Sequence, residues 1–586
     1  MSQSKANKSR VIINFFGIVA IVILLNVLAS FFNKRVDLTE DNRYSLSENT
    51  KSLLKDETKL NDRIFFKIYL DGDIPADMKN IQSGVQNMLE EFVAVAGDMI
   101  QYEFIDPDGS DDATFNKELK GILFNKGNGI LPTNLKKFNG QTSEISTIWP
   151  GAIVEYGGET VDVIQFFDRE EIIMDEDVRL LVDKTISQLE YKFISSIRRV
   201  TRKAKKSIGF LQGHGELTKQ QTWDVRQSLE KDYLVDDVEI NGKLNAFIDI
   251  DALVIAKPTE SFNERDKFVI DQFVMNGGRV MWFVDPLNVN RDSLSYNGET
   301  ICLAQKLNIE KDLIYKYGAR LNNDLIFDEQ CTHELIPPRD VKAPGLKWGF
   351  YPLLNTQVHP ITLNIDPIKT EYTSSVTPVN LSDTAVKKTV LLQSSNESLK
   401  LLAPARINFG FAYEQYAPKT DNPQFANNPV AVLLEGRFSS PFENRISDAF
   451  FKGNTFETKF KSVPNKMLVV ADGDMINSSF TYHKKGQKKI APIPLSVDRF
   501  RVMTANGTQK FHFGNREFFL NAVDYLLGDN SLIGIRSKTI SLRMLDSDKI
   551  KKERSFWKFI NIAFPLLFIV IFGVIQFIIR KRKYTK

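Results

Sequence analysis

Two stretches of the chain carry no charge at all: Val11 to Phe32, 22 residues, and Phe559 to Ile579, 21 residues. As helices each would run about 32 Å, enough to cross a hydrocarbon core of roughly 30 Å. A core helix of a soluble protein keeps polar residues on some face, so both are read as transmembrane helices, at 11–32 and 559–579. The tails 1–10 and 580–586 then share one side of a membrane, and everything between lies on the other.

The body shows two alternating periods. Arg63 to Leu70 (RIFFKIYL) and Met99 to Ile105 (MIQYEFI) read as strands. Between them Ile81, Val85, Met88, Leu89 and Phe92 form a helical stripe, so 63–105 is a β-α-β unit. Ala152 to Tyr156 and Thr160 to Phe167 make a hairpin around Gly157-Gly158. Glu176 to Arg202 is a long amphipathic helix, whose cationic end (Arg198, Arg199, Arg202, Lys203, Lys205, Lys206) suits a helix C-terminus. These elements define an N-terminal α/β domain over 33–205.

A second α/β region begins with the strand Ser207 to Leu211. Thr218 to Gln221 has capping-box form ahead of a helix through Leu229, and Ser261 to Glu264 repeats it before a helix ending at Asn276-Gly277-Gly278. Asp251 to Ala256 (DALVIA) and Val280 to Val284 (VMWFV) are continuous apolar strands, as expected of a largely parallel sheet covered on both faces. From 287 to 462 the periodicity fades and no topology can be assigned. Lys466 to Ala471 restores the buried-strand pattern, and Phe518 to Leu527 reads as a helix. The expected fold class is α/β: 206–286 and 463–545 form one sheet domain interrupted by a long insertion at 287–462, and 546–558 links it to the second span.

Charge changes the picture in one respect. The net charge of +3 comes from eight cations in the two tails, leaving the rest at −5. A nucleic-acid binder carries its basic excess on the folded body, so no nucleic-acid partner is expected. Lys and Arg tie three to three around the first span and five to five around the second, so the positive-inside rule gives no orientation. A short basic tail feeding an apolar run reads as a signal anchor, which places the body outside the cytoplasm and both termini inside. Val27-Leu28-Ala29 offers a cleavage site, but the apolar run preceding it is longer than a signal peptide's.

Little in the chain suggests catalysis. There is no phosphate-binding G-x-x-x-x-G-K-[ST] loop, no G-x-S-x-G elbow and no H-E-x-x-H pair, and Cys302 and Cys331 stand in ordinary settings. The one site-like segment is Gly213-His214-Gly215-Glu216 at a strand's carboxyl end, where open α/β sheets bind ligands. With Asp285, Asp472 or Asp474 it could hold a divalent metal; otherwise His214 and Glu216 hydrogen-bond the turn. Asp285 closes a neighbouring strand, so Gly213, His214, Gly215, Glu216 and Asp285 are the candidate ligand or contact residues. No cofactor is expected.

In order along the chain, Val36 to Glu40 with Arg43 to Ser47, Phe104 to Pro107, Phe210 to Glu216, Gly277-Gly278 before Asp285-Pro286, Ala431 to Gly436 and Asn521 to Leu526 resemble the GldG family. That family comprises gliding-motility-associated auxiliary subunits of an ABC-type transporter in Bacteroidetes-type bacteria. The resemblance implies a periplasmic body anchored in the inner membrane, a GldF-like permease and a GldA-like cytoplasmic ATPase as partners, and a central domain similar to class I glutamine amidotransferase sheets and to a domain of intraflagellar-transport proteins. The amidotransferase Cys-His pair has no counterpart here, so the likeness carries fold and not catalysis. The expectation is a non-enzymatic transporter subunit serving gliding or envelope export. The alternatives are a metal-assisted envelope hydrolase and a structural scaffold without a transporter.

Overall fold

The computed structural model describes residues 17, 19–21, 23, 24, most of 45–536, and 547–584; the longer breaks are 168–177, 335–345, 413–425, 446–457 and 483–489. Two compact units emerge, one holding Tyr44–Lys538 and the other the C-terminal helix.

The first region opens with α1 (Glu48–Leu54), capped by Ser47, whose hydroxyl accepts from Thr50 N–H. Strand β1 (Ile64–Ile68), helix α2 (Ala76–Ala96) and β2 (Ile100–Phe104) form the expected β-α-β unit, with β1 and β2 parallel. The hairpin β3 (Gly151–Tyr156) and β4 (Thr160–Gln165) adds antiparallel to β1, giving the order β2-β1-β3-β4. Ile64, Phe66 and Ile68 alternate onto the face covered by α2 and by α3 (Val178–Thr201), with Phe193 of α3 set edge-on to Phe66 and Phe92.

The central sheet is mixed. Five strands run parallel: β5 (Ser207–Gln212), β6 (Leu234–Glu239), β7 (Ala252–Ala256), β8 (Arg279–Phe283) and β12 (Asn465–Val470). Their order is β6-β5-β7-β8-β12. Residues between 287 and 462 lengthen it with three antiparallel strands, β9 (Leu346–Thr356), β10 (Lys387–Gln393) and β11 (Pro429–Gly436), and a short edge strand at Cys331–Glu334. The sheet is therefore not parallel throughout. Among the described residues of 287–462 most strands run two to seven residues, too short to carry a clear period.

Alternate residues feed two cores. Leu253, Ile255, Val280, Trp282 and Val469 face helix α5 (Glu264–Met275), while Val254, Met281, Phe283, Leu468 and Val470 face α4 (Trp223–Glu230) and α6 (Asn515–Leu526). Thr218 and Gln221 do exchange capping-box bonds, but they close the turn before α4. The cap of α5 is Asn263, one residue before the helix, not Ser261; its side chain accepts from Asp266 N–H.

The cations at the end of α3 have internal partners. Arg202 and Lys205 donate to the carbonyls of Asp232 and Glu230 beyond α4, and Lys206 donates to Leu527 O at 2.6 Å. Arg279 and Lys466 donate to Leu526 O and Tyr525 O, so three basic side chains from three strand starts meet the negative end of α6.

The second unit is α7 (Ser547–Tyr584), of which Phe556–Arg582 is apolar and long enough to cross a membrane. The first uncharged run, 11–32, lies largely outside the described residues. Cys302 and Cys331 are both free.

Candidate functional site

In the order β6-β5-β7-β8-β12 the chain steps outward in opposite directions from β5, so the crevice between the carboxyl ends of β5 and β7 is the topological switch point where such sheets place ligands. Two polar clusters occupy this edge.

The first is the turn after β5. Gly213 and Gly215 both have positive φ, and a Cβ on Gly215 would stand 2.0 Å from Thr259 Oγ1. That closeness lets Thr259 donate to Gly215 O, while the N–H groups of Thr259 and Glu260 donate to His214 O at 2.9 Å. The His214 ring is stacked on Phe262, centroids 3.8 Å apart. Nε2 lies 3.0 Å from Asp266 Oδ2, Nδ1 lies 3.3 Å from Glu216 Oε1, and Glu216 Oε2 accepts from the His214 N–H. Burial works against the imidazolium, but the two carboxylates outweigh it and raise the His214 pKa. All three side chains are buried. The Nδ1–Oε1 approach is an ion-pair contact without a hydrogen bond, both atoms being buried, and the Glu216-His214-Asp266 cluster forms a lock holding the loop after β7.

The second cluster sits at the ends of β7, β8 and β12. Lys257, just past β7, has its Nζ 3.1 Å from Asp285 Oδ2 and also touches Asp474. Arg291 bridges Asp474 at 2.7 Å and Glu371 at 2.8 Å, and Lys369 pairs with Glu371 at 2.9 Å. Gly473 N–H donates to Asp285, an approach possible because a Cβ there would meet Lys257 Cβ at 2.7 Å. Asp472 accepts from the N–H groups of Glu371 and Asp474.

Four carboxylates here face three cations, and their environments separate them. Burial, with Asp285 and Asp474 nearby, pushes Asp472 well above the carboxylate range. Burial also raises Asp285, partly offset by Lys257. Asp474 stays below its usual value because Arg291 and Lys257 overcome its burial, and Lys369 and Arg291 do the same for Glu371. A proton on Asp472 leaves three anions against three cations. Two residues other than Gly or Asn in this cluster, Lys257 and Tyr372, hold positive φ. Such strain collects at functional sites.

Beside this cluster lies a small cleft, partly open to solvent, whose enclosed part has room for about two waters. Lys369, Glu371 and Asp474 are among its lining residues, with Leu495, Val497 and Phe513.

The structure divides the five candidate residues. Gly213, His214, Gly215 and Glu216 build the turn, whereas Asp285 belongs to the second cluster, and among the described residues no hydrogen bond or ion pair links Asp285 to His214 or Glu216. The set imagined for a metal is split between the clusters, and no group of three or more His, Cys, Asp and Glu suited to a metal ion occurs among the described residues. Sequence reasoning missed Lys257, Arg291 and Glu371. Lys257 had a signal, a lysine ending a wholly apolar strand; Arg291 and Glu371 arrive from the weakly periodic region and had none.

Comparison with known proteins bears on the whole chain. A family model described as "ABC-type uncharacterized transport system" matches residues 205–522, more than half of the chain, and a model of a domain of unknown function matches 40–155. No curated protein matches. A solved structure titled "mmIFT52 N-terminal domain" aligns over 58% of this chain and 100% of its own at 11% identity and a TM-score of 0.30. Gan42B, a GH42 beta-galactosidase from G. stearothermophilus, aligns over 53% and 32% at 13% identity and 0.20. At such scores neither likeness says anything about this chain. The match over 205–522 spans β5 through α6 and both polar clusters, and by it the chain belongs to the ABC-type transport system family.

Proposed function

We propose that the protein is a non-enzymatic auxiliary subunit of an ABC-type transporter, anchored in the bacterial inner membrane with its body in the periplasm. It would work with an integral-membrane permease like GldF and a cytoplasmic ATPase like GldA, in gliding motility or cell-envelope export. The family match over 205–522 carries the reading. The apolar helix Phe556–Arg582 supports the anchoring. The closed lock around His214 supports a structural role for the Gly213–Glu216 turn, since both ring nitrogens already face carboxylates.

Affinity purification from membranes tests the assignment: permease and ATPase should co-purify with the tagged chain, and their absence would leave the scaffold reading. Replacing Phe556–Arg582 with an unrelated apolar helix should keep membrane localisation and weaken that co-purification, because helices in lipid associate by packing and polar contacts. Topology is testable with Ile248→Cys, a position 76% exposed. It should react with an impermeant thiol reagent in intact spheroplasts, and labelling only after lysis would invert the topology. Background is low because burial pushes the Cys302 and Cys331 thiols up to about 12. Stoichiometric zinc or manganese that disappears in His214→Ala would revive the hydrolase.

A further inference from the structure

We propose that the turn after β5 and the loop after β7 form a proton-operated latch: one proton held on His214 between Glu216 and Asp266 keeps the loop down, and its loss lets Pro258–Ser261 lift from the sheet edge. The inference does not rest on the transporter assignment, and failure to co-purify a permease would leave it standing.

The geometry requires the proton. A neutral imidazole has one N–H and one bare lone pair. Nε2 lies 3.0 Å from Asp266 Oδ2 and Nδ1 3.3 Å from Glu216 Oε1, so either neutral tautomer turns a lone pair on a carboxylate. Neither Nδ1 nor Oε1 has a hydrogen-bond partner, and both are buried, which makes that contact costly. Only the imidazolium meets both carboxylates with N–H groups. Other charges around the ring do not replace it. Lys257 pairs with Asp285 and Asp474, Lys267 with Glu264 and Asp312, and Arg265 and Glu260 are exposed. The N-terminal turn of α5, which carries Asp266, is partially positive and opposes the imidazolium weakly.

The loop is tethered so that it moves as a piece. Lys257 N–H donates to Phe283 O at 2.7 Å and Phe262 N–H to Leu307 O at 3.0 Å, fixing both ends. Between them the N–H groups of Thr259 and Glu260 donate to His214 O, Thr259 Oγ1 donates to Gly215 O, and the Gln305 amide reaches Pro258 O only at 3.5 Å. Thr259, Glu260 and Ser261 are exposed on their outer side. Three of the four described bonds on the loop therefore end on the turn that His214 anchors, and movement of the ring away from an unpaired carboxylate breaks them together. A local opening of this kind is the two-state element a histidine switch needs, and it lies at the edge where α/β sheets place ligands. Burial lowers the His214 pKa and the two carboxylates more than reverse this, so the latch is closed at low pH and opens as pH rises through a folded value above the ordinary 6.5.

Hydrogen exchange of the full chain in nanodiscs, read by mass spectrometry on a peptide covering 257–262 and corrected for the intrinsic rise of exchange with pH, tests this. The loop should exchange about ten-fold faster or more at pH 9 than at pH 6, while a peptide covering β8 keeps its protection. Glu216→Gln should abolish the difference, since its carbonyl can still accept the His214 N–H while its amide donates to a neutral Nδ1. Equal corrected exchange at both pH values, a difference that persists in Glu216→Gln, or loss of protection in β8 as well would overturn the proposal. Should Glu216→Gln fail to fold, imidazole nitrogen NMR spectra of the unaltered chain decide the matter, with the His214 signals identified by their absence in His214→Gln. The ring must lose its proton over the pH interval in which the loop opens, and separate midpoints overturn the proposal.

Discussion

The turn after β5 and the cluster after β7, β8 and β12 share one sheet edge and much of one chemistry, carboxylates set around a cation. They differ in what they leave unfinished. In the turn, a single imidazole lies between Glu216 and Asp266, its face covered by Phe262, and the backbone of 259–260 closes over it. In the second cluster the charges extend to a cleft, and Arg291 keeps 41% of its side chain exposed although Asp474, which it binds, keeps 3%. Site-like residue types at a strand end therefore do not identify a site.

The comparison breaks first at Asp474. Asp474→Ala removes the shared counterion of Lys257 and Arg291, leaving two partly buried cations under-compensated, and should destabilise the body by about 3–5 kcal/mol. The readout is chemical denaturation, and a change below about 1 kcal/mol would mean the cluster is solvated and not structural.

A smaller effect is expected at the lock. The folded pKa of His214 is raised, so its stabilisation is fully present below the unfolded histidine value of about 6.5 and is lost as pH rises through the higher folded value. His214→Gln should cost about 2 kcal/mol at pH 6 and less at pH 9. Thermal midpoints of both proteins across that range check this; parallel profiles would show that the lock is held by stacking and backbone bonds alone.

The smallest effect sharpens the role of countercharge. Asp271, buried in α5, accepts from Tyr317 and Ser440 hydroxyls and the Gln272 amide with no cation among its described partners, and burial raises it to about 6. Here the ionised form is penalised in the fold. The penalty is full above pH 6 and is relieved as pH falls toward the ordinary aspartate value of 3.8, at most roughly 3 kcal/mol. Asp271→Asn, which also weakens a hydrogen bond, should stabilise the body by about 1 kcal/mol at pH 8 and by nothing at pH 4. Equal effects at both pH values would show that the carboxyl titrates alike in the folded and unfolded chain, so that burial does not penalise it.

Much of the secondary structure was legible because it rests on local pattern. The strand read at 251–256 is 252–256, and the stripe from Ile81 to Phe92 lies on the inner face of α2. The mixed sheet was not, because β9, β10 and β11 are paired by contacts more than 100 residues distant from β5 and carry no signature of their neighbours. The site shows the same division. The glycines of the β5 turn announced themselves, since positive φ needs them, whereas the charges bordering the cleft meet only in three dimensions. Asn521 to Leu526, one of the stretches carrying the family resemblance, does architectural work: Asn521 donates to Ile361 O, Asp524 accepts from Tyr233 and Tyr525 donates to Glu435.

Leu532 and Ile535, just beyond α6, are buried in the core of the first region among residues such as Leu53, Leu189 and Ile197. The earliest-synthesised part of the body is thus completed by its latest. During synthesis that region must wait, with apolar surface uncovered, until some five hundred residues have emerged, a long-range closure that makes maturation slow and exposes it to aggregation. A chain ending prematurely near 530 would present proteases with an unfinished core at its front, so integrity of the last segment is reported at the opposite end of the sequence.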